Sequence, residues 1–348
     1  MANVHKHLLN YFLDEVALKE SQKDQMRRRR SANETRLKNG LTAQKKPAPL
    51  CFVKQGSYAM HTMVQANAAT SDIDDGVVFA KDALKGERGA EYTPLQAKKM
   101  VCDALNDKED FATPPEVRNN CVRVYYADGF TIDMPVYRQV ERGNETVYEL
   151  AATEWKESDP EAVTEWFVDA TKKSPDETNG RQLRRMVRLL KAWSKSRSSW
   201  SLPSGFVLSI LTNEQYPHGG WKDRDDHALY YLVCDIHTRL AASLTVTRPV
   251  KPYDSVTKSD SDADMRNLRD KLADAKKTLA PLGDANATDL EALEALKSFF
   301  CTDYFDKAIE DLKNNNKAEA MAAPGFIRSG ADEPQTQFFK KGGEGRYA

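Results

Sequence analysis

Residues 72–79 read Asp-Ile-Asp-Asp-Gly-Val-Val-Phe, and no other stretch constrains the fold of this chain as strongly. Ile73 with Gly76–Phe79 predicts a strand that enters a core. Side chains two apart on a strand point the same way, so Asp72 and Asp74 share one face while Ile73 turns inward. Two carboxylates forced together repel unless a cation lies between them, and hard oxygen ligands at this spacing suit magnesium. An ordinary acidic turn before a strand explains Asp75-Gly76 equally well. For Asp72 and Asp74 that explanation weakens if β-rich surroundings bury the pair, because an unpaired buried charge is costly.

Two further features converge on the same chemistry. Gln55-Gly56-Ser57 puts a glycine directly after a short apolar strand that begins at Cys51–Val53. Glycine lets the backbone approach a phosphate closely, and the Ser57 hydroxyl and nearby amides can donate to its oxygens. Alone, a Gly-Ser pair is more often a turn. Val122–Tyr126 and Phe130–Tyr137 predict a hairpin closed by Asp128-Gly129, with Pro135 ending the returning strand or marking an edge. Ile132, Met134 and Val136 take the apolar face and leave Asp133 on the other. Asp133 is then either the solvent side of an amphipathic strand or, beside strand 72–79, the third member of an acidic cluster. Such a cluster supports two-metal catalysis, with two magnesium ions about 3.5–4 Å apart clamping the attacking and leaving oxygens of a phosphoryl displacement. One ion neutralises a triphosphate held at Gly56 and Ser57. The other activates a hydroxyl whose proton Asp133 helps to remove. Manganese is the alternative ion. Neither a P-loop nor a dinucleotide-binding glycine motif is present, so the reaction implied is nucleotidyl transfer.

Periodicity supplies the rest. A helix is expected over His5–Gly40, with Leu8, Leu9, Phe12 and Leu13 as its stripe; it reads as a spine packed back across both the strand-bearing core and the helical lobe that follows. Its basic run Arg27–Arg30 either touches an acidic partner or is a solvated face, and the second is the commoner case. A helix over Tyr92–Leu105 precedes the hairpin. From Asp159 onward helices dominate: one with Val163, Trp166, Phe167 and Ala170 inward, then Gly180–Lys195, Gly205–Asn213, His227–Ala242, Met265–Leu279 and Thr288–Lys313. In Gly180–Lys195, Arg181, Arg184, Arg185, Arg188, Lys191 and Lys195 lie largely opposite the apolar stripe, which predicts a mostly solvated cationic face. One or two of them are placed to meet phosphates. Pro249–Asp264 reads as a surface loop, and 317–348, with its late glycines, as a disordered tail.

Together these runs resemble the polymerase-β-like nucleotidyltransferases, and among them the bacterial cGAS/DncV-like nucleotidyltransferases (CD-NTases) of CBASS anti-phage systems. Gln55–Tyr58, Asp72–Gly76, Ile132–Tyr137, Ser158-Asp159-Pro160, Arg184–Trp193 and Pro203-Ser204-Gly205 are similar in order and spacing to the DncV-type cyclic GMP-AMP synthases. The resemblance implies an α+β fold, a mixed-sheet nucleotidyltransferase core with helices plus a helical C-terminal lobe, divided as 1–150, 151–316 and a tail at 317–348. It implies Asp72, Asp74 and Asp133 as magnesium ligands and catalytic residues. Gln55, Gly56, Ser57 and Tyr58 become the donor-triphosphate loop, Lys191 and Ser204 triphosphate or base contacts, and Arg123 an acceptor-nucleotide contact. Asp254 is matched to a base contact, although the surrounding loop fits poorly. Leu202-Pro203-Ser204-Gly205 departs from the more serine-rich turn usual there. The activity implied is synthesis of a cyclic oligonucleotide messenger from ATP and GTP, read by an effector protein, with cyclic GMP-AMP as the product. A cyclic trinucleotide, a linear transferase acting on RNA or a small acceptor, and a non-catalytic nucleotide-binding scaffold are the alternatives. Gly345-Arg346-Tyr347-Ala348 invites comparison with family members conjugated through a small last residue, or it is an ordinary terminus.

Composition narrows the class. Lysine plus arginine total 51 against 52 aspartate plus glutamate, a net charge of −1, which argues against a protein held to nucleic acid by bulk charge. No apolar run approaches the roughly 20 residues that span a bilayer, and the first dozen residues lack the order of a secretory signal, so a cytoplasmic protein with no membrane partner is expected. The five scattered cysteines form no Cys-x-x-Cys pair and the six histidines no His-Glu-x-x-His, so any metal must be held by oxygen.

Overall fold

The computed structural model describes residues 1–65, 72–106, 113–127, 129–217, 220–259 and 261–322, with side chains to residue 316. Its organising element is strand β2 (Asp72–Ala80), which is paired along both edges. Strand β1 (Cys51–Gln55) runs antiparallel to it, Gln55 opposite Asp74 and Cys51 opposite Val78. Along the other edge β5 (Thr131–Met134) and β6 (Val136–Arg142) run parallel to β2 in one unbroken register, Asp72 opposite Thr131 and Val77 opposite Val136. Pro135 separates them. It has no N–H to give the ladder, so the strand stops at Met134 as expected and resumes one residue later, while the Pro135 carbonyl accepts the Val77 N–H at 2.8 Å. Strand β4 (Val122–Tyr125) pairs antiparallel with β5, and β3 (Glu116–Val117) with β4. Strand β7 (Glu145–Ala151) pairs with β6, and β8 (Trp155–Glu157) with β7. The expected hairpin is therefore β4–β5; Asp128 of its turn lies outside the described residues.

Helices α2 (Glu20–Ala43) and α4 (Pro94–Leu105) cover one face of this sheet. The start of α4 is written in the sequence: Thr93 accepts the Gln96 N–H, the Gln96 side chain accepts the Thr93 N–H, and Pro94 needs no partner at the first helical position. Met100, Val101 and Leu105 pack with Leu37 and Leu41 of α2 on Ile73, Val77, Phe79 and Ile132. The two helices cross at Gly40, where a Cβ would stand 1.9 Å from the Ala104 carbonyl oxygen, so no larger residue fits.

The N-terminal helix is not continuous. Helix α1 (His5–Tyr11) runs into a π-helical turn (Phe12–Val16), and Ala17 is extended at φ −73° and ψ 134° before α2 begins. The break lets two stripes face different neighbours: Met26, Leu37 and Leu41 meet the sheet, whereas α1 meets α8 (Asp225–Ala242). The Gln65 amide satisfies carbonyls freed at the break, donating to Asp14 and Ala17. Within the basic run, Arg27 and Arg28 are exposed as expected. Arg29 instead lies over the Tyr126 and Phe130 rings, and Arg30 turns inward to Glu34 at 3.2 Å.

The remaining helices are α3 (Gly56–Ala59), α5 (Ala162–Lys172), α6 (Gln182–Lys195), α7 (Gly205–Gln215), α9 (Ala263–Thr278) and α10 (Asp289–Phe300). The helix expected over Thr288–Lys313 ends at Cys301, whose left-handed φ of 53° turns the chain so that Phe299, Phe300 and Phe305 are all buried. Residues from Asp306 belong to a second unit with α11 (Asp306–Ala322), which carries helix past the expected start of the tail; residues 323–348 lie outside the described part.

The cationic face of α6 is largely not solvated. Arg185 is 1% and Lys191 6% exposed, because α6 is wedged between the chain after α3 and helices α7, α8 and α10. Trp193 stacks on Phe299 with ring centroids 5.4 Å apart.

Candidate active site

Alternation along β2 sends Ile73, Asp75, Val77 and Phe79 toward α2 and leaves Asp72 and Asp74 on the opposite face. Parallel pairing with β5 then sets Asp133 directly beside Asp74. Burial raises the Asp74 carboxyl to about 6; Asp133 and Asp72 push the same way, and Arg123 partly offsets them. The third acid is thus a neighbour of the first two, as the sequence suggested.

Gly56 explains the close quarters. Its φ is +59°, and a Cβ there would stand 2.0 Å from Asp74 Oδ2, so the backbone of the Gly-Ser turn lies against the carboxylate. The Ser57 hydroxyl has no hydrogen-bond partner among the described residues, and Tyr58 is partly buried against the core behind the sheet. The Gln55 side chain is not open to a ligand: it is buried and donates to the Tyr137 hydroxyl at 3.0 Å. Burial pushes the Tyr137 hydroxyl up to about 12.

Two of the acids already have partners. Arg123, opposite Asp133 across β4 and β5, donates through Nε and Nη2 to both carboxylate oxygens at 2.6 Å. The Thr131 hydroxyl donates to Asp72. Among the described residues, no three His, Cys, Asp or Glu side chains are drawn together closely enough to hold a metal ion as they stand. The donors nevertheless fit a divalent cation in kind. They are hard oxygens, and burial, with Asp133 and Asp72 adding to it, raises the Asp74 carboxyl at one place on the sheet.

A second group of residues gathers on α6 and the start of α7. Lys191 Nζ donates to the Thr62 hydroxyl at 2.8 Å and its carbonyl at 3.3 Å, both neutral groups. Burial lowers its pKa to about 7, and the charges of Lys195 and Arg188 add to the effect. Ser204 precedes α7 without capping it, and a Cβ at Gly205 would be 3.0 Å from Lys191 Cε. Thr62 links the two groups, since its N–H donates to the Ser57 carbonyl at 2.8 Å. Arg184 and Arg188 donate to the Met60 and Met63 carbonyls, bracing the same segment. Sequence reasoning missed Thr62 and Thr131, whose hydroxyls carry no signal until their partners are known. Asp254 stands with Lys156 at 2.7 Å and Arg248 at 2.9 Å. Burial raises its carboxyl, but these cations outweigh that and hold it below its ordinary value. A groove of about 720 Å³ along α2 and α4, lined by Ser31, Thr35, Arg36, Asn39 and Asp103 among others, contains none of the expected site residues.

Comparison with known proteins agrees with this geometry. Residues 50–137 match the family model described as the nucleotidyltransferase domain of cyclic GMP-AMP synthase DncV-like proteins. A cyclic GMP-AMP synthase of Escherichia albertii is 26% identical over 211 residues, 57% of this chain and 44% of that protein; the chain thus matches less than half the length of this curated relative. The crystal structure of Vibrio cholerae DncV cyclic AMP-GMP synthase with a linear intermediate superposes with a TM-score of 0.68 at 17% identity, covering 86% of this chain and 96% of that one. The Bradyrhizobium diazoefficiens CD-NTase CdnG in complex with GTP gives a TM-score of 0.68 at 14% identity, covering 89% and 100%. At these identities the structural likeness speaks for the fold. The domain spanning β1 to the start of β6 is that of a nucleotidyltransferase. With a similar fold around it, the chain resembles the bacterial cGAS/DncV-like nucleotidyltransferases whose motifs it shares.

Proposed function

We propose that this chain is a cyclic-oligonucleotide synthase that joins ATP and GTP, closes them into a cyclic GMP-AMP and serves anti-phage signalling through an effector that senses the product. The observation that carries the reading is the pairing of Asp74 with Asp133 on adjacent strands, with the Gly56 backbone pressed against Asp74. Magnesium held by Asp72, Asp74 and Asp133 would neutralise triphosphate charge and acidify the attacking hydroxyl. Ser57 donates to the donor triphosphate, and Lys191, whose ammonium donates to Thr62, turns its charge to the same anion from the other side. A buried cation without a counter-ion is a costly arrangement that an incoming phosphate relieves. Asp133 accepts the proton of the attacking hydroxyl. The oxygen so freed bonds the α-phosphorus, the bond from that phosphorus to the bridging oxygen breaks, and pyrophosphate leaves. A second such step on the linear product closes the ring. Arg123 meets the acceptor nucleotide's phosphate, and Asp254 contacts a base. Conjugation through Ala348 is a separate proposal that rests on the resemblance of the tail.

The test incubates the full-length protein with magnesium and all four nucleoside triphosphates and identifies products by mass and nuclease sensitivity. A phosphatase-resistant ring of one AMP and one GMP, with pyrophosphate released, is expected. Products with free ends would replace the reading with a linear transferase. Asp133→Asn should lower product formation by roughly 10²–10⁴-fold; full activity in that variant would remove Asp133 from the chemistry.

A further inference from the structure

We propose that Arg123 is a positioning residue that keeps Asp133 from a divalent cation until an anionic substrate draws the guanidinium away, so that cation and nucleotide are taken up together. The inference rests on the synthase reading, specifically on Asp72, Asp74 and Asp133 as ligands, and adds an order of events to it.

Three observations support it. The first is geometric: Arg123 grips both oxygens of Asp133 at 2.6 Å, the two-pronged arrangement that binds a carboxylate most tightly. A cation sharing those oxygens would face the guanidinium charge at close range, and like charges at such distances repel strongly. The second is that the trio is not gathered into a ligand group among the described residues, although the strand register sets Asp133 beside Asp74. The fork occupies both oxygens that Asp133 could offer to a cation. The third is access. The Arg123 side chain is 29% exposed against 14% for Asp133, so the arginine can move outward to a phosphate while the carboxylate stays in place. Among the described residues Arg123 forms no second ion pair, although the Asp72 carboxylate also attracts it. An anionic nucleotide supplies a competitor for the guanidinium.

The experiment titrates the full chain with Mn²⁺ in the absence of nucleotide and follows the free ion by electron paramagnetic resonance. Arg123→Gln is expected to bind Mn²⁺ about 10-fold more tightly than the unmodified protein, as the repulsion of a unit charge at close range is removed. Arg123→Lys keeps the charge but cannot fork, and should tighten binding by a smaller factor. A non-hydrolysable nucleoside triphosphate should narrow the gap between the unmodified protein and both variants. Thermal melting establishes that each variant is folded, and the lysine variant carries the test if the glutamine variant is not. Unchanged or weaker Mn²⁺ binding in both variants overturns the proposal. So does a gain in Arg123→Gln with none in Arg123→Lys, because the two-pronged grip would then contribute nothing. Adding Asp133→Asn to Arg123→Gln should abolish the gain, and a gain that survives overturns the proposal. The synthase reading fails separately, if no product forms while Mn²⁺ binding behaves as described.

Discussion

Asp74 shows how one side chain records its surroundings. Its carboxyl rises from 3.8 to about 6, so between those values the folded chain holds a proton that the unfolded chain has lost. By linkage the unfolded state binds fewer protons there, and stability falls as pH climbs from about 4 to about 6 and is level above. Asp74→Asn should therefore raise stability at pH 7.5 by up to about 3 kcal/mol, with little gain near pH 4. Thermal melts of both proteins at the two pH values check this; an equal gain at both would show that the raised pKa of this carboxyl is not the cause. Gly56 is the complementary case. Alanine there must adopt a φ of +59° and push aside Asp74 Oδ2, so Gly56→Ala is expected to destabilise by about 1–3 kcal/mol and to cost nucleotide affinity, read by melting and calorimetry. Gly56 and the Asp-Ile-Asp spacing were both legible from sequence. The fork from Arg123 was not, because a residue ten positions before Asp133 becomes its partner only through the β4–β5 register.

Among the elements, α6 departs most from its pattern. Its cations at helical spacing read as a solvated face, since a helical wheel reports which residues share a side but not what lies against it. The structure fills that side with the chain from Met60 to Met63 and with α8. Lys191 is the instructive member. Its pKa falls from 10.5 to about 7, so across that range the folded chain has released a proton that the unfolded chain retains, and stability rises with pH between them. Triphosphate binding should return the proton. At pH 8, calorimetry in buffers of different ionisation enthalpy is expected to show proton uptake with nucleotide, and Lys191→Met should abolish it. The methionine variant should also melt higher than the parent at pH 6, where the parent bears the full cost of a buried charge. An uptake that persists in Lys191→Met would assign it to another group.

The fold depends on ties between distant parts of the chain. Arg185 and Asp225, both essentially inaccessible, form a two-pronged pair at 2.7 and 2.8 Å, and Asp176 and Gln182 complete it. The N-terminus joins the same region: His5 Nδ1 accepts the Asp225 N–H, Asp226 accepts the Val4 N–H, and Arg224 donates to the Ala2 carbonyl. Removing one partner of a buried pair strands the other charge, so Asp225→Asn should cost about 3–5 kcal/mol by chemical denaturation. An effect below about 1 kcal/mol, the range of a surface pair, would show that water reaches the site. No helix among the described residues is long and apolar enough to cross a membrane.

Local alternation determined much on its own. Acid and apolar residues two apart must take opposite faces of a strand, a glycine after a strand must permit a left-handed turn, and capped, periodic runs must coil, since backbone geometry alone imposes these rules. Strand register, and the partner each charge finds, depend instead on how faces far apart in the chain pack together. For that reason the break before α2, the burial of Lys191 and the grip of Arg123 on Asp133 became visible only once the chain was folded.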